Sequence, residues 1–169
     1  MDSVGYQRML FRTAMLVMGC DGELHSSEIR EIAIAFEKSS LFKDLDFQEE
    51  LDRVMAEFDE NRKHVVTAYF EEIEVADLDP VQKLQILEII LRIMYADDRV
   101  DPNEVRFLKL VKSRLGVMDE IFAKRFGELD ILPTGHIPEK SEDTVGAFIS
   151  EVEFPDFSKS ELVKINAVS

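Results

Sequence analysis

Two stretches of this chain spell the same turn. Met18-Gly19-Cys20-Asp21-Gly22-Glu23-Leu24, with Glu28-Ile29 beyond it, aligns with Met94-Tyr95-Ala96-Asp97-Asp98-Arg99-Val100, with Glu104-Val105 beyond it. A supersecondary unit used twice restricts the fold more than any single segment does. Each copy reads as the end of one helix, an acidic residue, a turn, an aliphatic residue to plug the corner, and the start of the next helix. Gly22 suits a positive-φ turn, which Asp98 tolerates at some cost. Leu24 and Val100 are the corner plugs. Asp101-Pro102-Asn103-Glu104 spells a capping box, with Asp as N-cap, Pro at the first helical position and Glu at the third. His25 or Ser26 would take the equivalent cap role in the first copy, with Glu28 in the first turn.

Apolar periodicity around these turns predicts an all-α fold of about seven helices, two repeated helix–turn–helix units packing around a buried central helix. The helices are expected at about 4–18, 26–38, a third carrying Phe47, Leu51, Val54, Met55 and Phe58, a fourth carrying Val65, Val66, Tyr69, Phe70 and Ile73, then 80–96, 102–115 and 119–129. The fifth opens on Asp79-Pro80 and is apolar on most sides, which marks it as central. From Pro133 the character changes: three of the five prolines lie here, and Phe148, Ser150, Val152 and Phe154 alternate with Ile149, Glu151 and Glu153 at a strand period. The division is therefore a helical domain over 1–130 and an acidic, extended C-terminal appendage over 131–169. The appendage reads either as a segment that pairs with something or as a loosely ordered tail.

Charge sets the class of partner. With 35 Asp and Glu against 20 Lys and Arg, the formal net charge is -15. Phosphate binding needs a clustered basic surface, so no nucleic acid is expected, and docking on anionic lipid is disfavoured equally. Proteins with basic surfaces and hard divalent cations are what this field attracts. The apolar segment from Leu84 to Ala96 is too short to span a bilayer, so no membrane insertion is expected. Arg12 and Thr13 interrupt the apolar N-terminal stretch, which suits a core-facing helix better than a signal peptide. Cys20 is the single cysteine, and a cytoplasmic location is the expectation.

Capping does not account for Asp21 and Asp97, which stand at helix C-terminal ends where the dipole disfavours negative charge. An EF-hand is excluded, because its first and third loop positions would fall on Val17 and Gly19, or on Ile93 and Tyr95, which offer no side-chain carboxylate. The doublet Asp21-Gly22-Glu23-Leu24…Glu28 and Asp97-Asp98-Arg99-Val100…Glu104, followed by Leu115-Gly116-Val117, instead resembles the TerB-like family of tellurite-resistance proteins. That family includes the N-terminal domain of certain membrane-anchored DnaJ-type co-chaperones. The resemblance spans roughly residues 5–128. Asp98 departs from the family's usual glycine, and His25 from its commoner acidic or small polar residue. The resemblance implies a helical fold without known catalysis and an association with stress, toxic-oxyanion or phage-defence systems. It also implies an acidic face able to bind a divalent metal. By position that face comprises Asp21, Glu28, Asp97 and Glu104, with Asp101 nearby, and carboxylate ligands would favour calcium or magnesium over zinc.

No phosphate-cradling glycine loop is present, and His25, His64 and His136 sit in no metal-ligand spacing. Cys20 reads as a packed helix-end residue, since the neighbouring Asp21 disfavours its thiolate. The acidic run from Glu71 to Asp79 reads as a solvated face that could recognise a basic partner. In the tail, Phe148, Val152, Phe154 and Phe157 are too apolar for an idle solvated segment and are the candidate partner-binding residues. Two functions remain open: a non-catalytic accessory or binding subunit of a bacterial stress or defence system, and a divalent-metal-binding stress protein using the paired acidic turns.

Overall fold

The computed structural model describes residues 1–20, 22, 26–96, 100–127 and 144–154, with only the backbone described for 26–29. Among them are seven α-helices and no strand: α1 (Ser3–Gly19), α2 (Ser26–Lys38), α3 (Phe47–Val75), α4 (Pro80–Met94), α5 (Pro102–Leu115), α6 (Asp119–Phe126) and α7 (Val145–Glu151). A single 3-10 turn, Ser40–Phe42, joins α2 to α3. The all-α architecture is the expected one, but the seven helices are not quite the expected set.

The expected third and fourth helices are the two halves of α3. They meet at Asn61, whose backbone leaves the helical region (φ -163°, ψ 97°). Its side chain then accepts from the His64 amide at 3.1 Å, as an N-cap does. The seventh helix is new, and it lies in the expected appendage. The strand period read from Phe148, Val152 and Phe154 is overturned for residues 145–151. Phe148 and Val152 are four apart, a spacing that satisfies one helical turn as well as a strand. Thr144 decides between them, its hydroxyl accepting from Ala147 N at 3.0 Å and opening a helix. Among the described residues, Val152 to Phe154 run on outside the helix.

The centre is shared by α1 and α4, which pack along each other with α2, α3 and α5 around them. The expectation placed α4 there alone. Along α1, Leu10, Phe11, Ala14, Met15, Leu16, Val17 and Met18 are all fully buried. Its polar members are satisfied rather than excluded. Arg12 reaches out to Glu57 at 2.9 Å and Glu72 at 3.6 Å. The buried Thr13 Oγ1 lies 2.7 Å from Met9 O and 2.6 Å from the Tyr69 hydroxyl. Burial pushes the Tyr69 phenol well above its usual pKa, an effect that the Thr13 contact partly offsets and the Glu72 charge reinforces.

Two groups of aromatic rings divide the core. Phe11, Phe36, Phe42 and Phe47 form one, where α1, α2 and the start of α3 meet. Tyr69, Phe70, Phe107 and Phe148 form the other, where α3, α5 and α7 meet. Such pairs add about 0.5–1.5 kcal/mol each beyond the area they bury. The tail residue Phe148 is therefore a core residue.

Candidate functional site

In the second acidic turn, the capping box at the start of α5 is formed as spelled. The Asp101 carboxylate accepts from Asn103 N at 2.7 Å, and Glu104 Oε1 accepts from Asp101 N at 3.0 Å. Glu104 is only 2% exposed, and Val100 packs half-buried against the core as the corner plug. Both carboxylates thus have a structural task at a helix N-terminus, where negative charge is favoured. Asp97, the Asp21 of the first turn and the side chain of Glu28 lie outside the described residues.

Asp101 and Glu104 do not by themselves make an ion site. Asp101 Oδ1 and Glu104 Oε1 face amide donors of the same turn, and among the described residues no group of three His, Cys, Asp or Glu side chains is placed to hold a metal ion. Cys20 ends α1 fully buried, with its thiol donating to Leu16 O at 3.1 Å, the packed role expected of it.

The first turn has a neighbour that sequence reasoning missed. Gly22 has φ +81°, and a Cβ there would come within 3.2 Å of the Glu153 carbonyl oxygen. The positive φ favours glycine there, and the close backbone approach leaves a Cβ little room. Gly22 therefore abuts the C-terminal segment.

That segment is held along its length. Phe148 is 0% exposed, Val152 6% and Phe154 7%. Phe148 meets Phe70 edge-on at 6.2 Å and Phe107 at 6.0 Å, and Phe154 lies 6.2 Å from Phe58. Arg106 of α5 pairs with Glu151 at 3.0 Å and stands 5.5 Å over the Phe148 ring. Arg62 of α3 donates to Phe154 O at 3.1 Å. Three of the four residues expected to bind a partner are thus turned into the protein's own core, because an apolar face between α3 and α5 is there to receive them. Phe157 lies outside the described residues. Arg62 and Arg106 gave no signal in sequence, since each is one basic residue on an otherwise ordinary helix face.

Two open clefts flank α3. One, of about 600 Å³, is lined by Arg12, Glu57, Glu60, Asn61, His64 and Val65 beside the break in the helix. The other, of about 370 Å³, lies between Arg62, Lys63 and Val66 on one side and Ile149, Ser150, Val152, Glu153 and Phe154 on the other. Among the described residues, no helix is long and apolar enough to cross a membrane.

A family model described as tellurite resistance protein TerB matches residues 8–125, from the first turns of α1 through nearly all of α6. The chain belongs to the TerB family. No curated protein and no solved structure matches it.

Proposed function

We propose that this TerB-family chain is a non-catalytic interaction subunit of a bacterial stress or defence system, cytoplasmic, which docks on a larger protein through an acidic corner. The supporting observation is at the junction of α3 and α4. Val75 is 83% exposed, and Val81, six residues on, is 64% exposed. Around them stand Glu71, Glu74, Asp77 and Asp79, all exposed. Apolar side chains held in water inside an acidic rim suit a partner that brings an apolar contact surrounded by Lys or Arg. The net charge of -15 strengthens attraction to such a surface at long range.

The test is a pair of substitutions on the intact chain. Val75→Ser with Val81→Ser removes the apolar contact, and Glu71→Gln with Asp77→Asn removes rim charge. Neither change touches the core, so melting should be unaffected. A partner captured by the wild-type chain should be lost with the first pair, and with the second its association rate should fall and lose salt dependence. Capture unaffected by both would refute the corner as the docking site.

A further inference from the structure

The face between α3 and α5 belongs to the family-matched part of the chain, whereas the segment seated on it, residues 144–154, lies beyond residue 125. The seat uses few specific features of its occupant. It takes an aromatic side chain at Phe148, an aliphatic one at Val152 and an aromatic one at Phe154, with a carboxylate at Glu151 opposite Arg106 and a main-chain carbonyl opposite Arg62. Any amphipathic acidic segment of that pattern supplies the same groups. The rim of the seat carries Arg62, Lys63 and Arg106, a basic strip on a chain of net charge -15, and the occupant carries Glu151 and Glu153. The charges are complementary.

Among the described residues the fit is also incomplete. A cleft of about 370 Å³ remains between the segment and Arg62, Lys63 and Val66. Moreover, α7 has seven residues, well below the length at which a helix holds in water without packing. Its helicity depends on being docked. Opening and reclosing as one small unit is the behaviour such local contacts produce.

We infer that the α3–α5 face is a docking groove for acidic amphipathic protein segments, which residues 144–154 fill in cis and a partner's segment fills in their place. The partner segment carries an aromatic residue, an acidic residue three positions on, an aliphatic one four on and an aromatic one six on. Tethering gives the cis segment a local concentration on the order of millimolar, so a competing segment wins by better fit, and the unfilled cleft beside Lys63 is where larger side chains would provide it. Because Gly22 abuts Glu153, displacement also uncovers the backbone at Gly22. This groove is separate from the α3–α4 corner, and either can fail alone.

The experiment uses the full-length chain and a fluorescein-labelled peptide of residues 144–154 as probe, read by anisotropy. Glu151→Arg on the chain sets like charges together and weakens cis docking at an exposed position. Probe binding should then tighten at least threefold over wild type. Adding Arg106→Glu restores the cis pair with reversed sign, and binding of the wild-type probe should return to the wild-type level or below. Val152→Ser, which weakens cis docking without altering charge, should tighten probe binding as Glu151→Arg does. Probe affinity equal in all four chains overturns the proposal. So does loss of cooperative melting in both Glu151→Arg and Val152→Ser, which would make the segment part of an indivisible core. A Glu151→Arg chain that dimerises, as seen by light scattering, and is not returned to monomer by excess probe would also overturn it.

Discussion

The Arg62 guanidinium donates to the Phe154 main-chain carbonyl at 3.1 Å, so the second half of α3 begins beside Phe154 of the C-terminal segment. Because the acceptor is backbone, the bond does not depend on which residue stands at 154. Further back, Phe148 anchors the same segment at 0% exposure. A buried Phe→Ala change ordinarily costs about 3–5 kcal/mol. Here the loss should saturate, because a segment that detaches as a unit cannot cost more than its docking free energy. Phe148→Ala should therefore lower stability, and adding Val152→Ala or Arg62→Ala should add little. Urea unfolding of the single, double and triple variants measures this, and strictly additive losses would contradict it.

Glu104→Ala should destabilise by about 1 kcal/mol, since it removes one arm of the capping box and a carboxylate from a helix N-terminus. Glu104→Gln keeps an acceptor for the Asp101 amide, which Oε1 now meets at 3.0 Å, and should lose less. Thermal melts of the two variants, ranked against wild type, are the check.

Tyr69 and Tyr6 give the fold an alkaline limit. Burial raises both phenols, and for Tyr6 the Asp79 charge adds to the effect. In the unfolded chain both ionise near pH 10, while in the folded chain they stay neutral to higher pH. The stability they contribute is full below about pH 10 and is lost as pH rises from there toward the folded values. Tyr69→Phe should leave Thr13 bonded to Met9 O, cost about 1 kcal/mol near neutrality, and flatten the decline above pH 10. Chemical denaturation at pH 8, 10 and 11 would reveal the difference in slope; parallel slopes would count against it.

Asp101 and Glu104 are engaged in capping, and that makes a metal response the informative measurement for the turns. Melting temperature should stay flat across millimolar calcium and magnesium, relative to a chelator control. A concentration-dependent rise, abolished by Asp21→Asn together with Asp97→Asn, would instead assign the turns to an ion held by the folded state.

Much of this architecture was legible because local signals agreed with each other. Asp79-Pro80 and Asp101-Pro102-Asn103-Glu104 spelled two helix starts, and Gly116, at φ 68°, ended α5 where expected. The gap between Phe58 and Val65 in the apolar pattern marked the break at Asn61. The place of α1 was hidden by Arg12 and Thr13, two polar residues on a buried helix. Their compensation comes from Glu57, Glu72 and Tyr69, which lie far along the chain. The helix at 145–151 was hidden by degeneracy, since Phe148 and Val152 satisfy both periods and only the acceptor face could choose. Of the candidate metal ligands, the spacing correctly foretold the cap pair Asp101 and Glu104. For the tail anchors it identified the apolar residues but placed them against another chain, because composition cannot say whose groove an apolar segment fills.

The break at Asn61 divides the longest helix into two hydrogen-bonded ladders rather than one. The first four amides of a helix have no partner in the preceding turn, so a second N-terminus in mid-helix places weakly protected amides between two well-packed stretches. Deuterium uptake along α3 should consequently be bimodal, slow around Val54 and around Val66 to Phe70, and fast at Arg62 and Lys63 between them. The two arms can then loosen separately, the first with the ring group of Phe11 and the second with that of Phe107, so α3 serves as two mechanical levers.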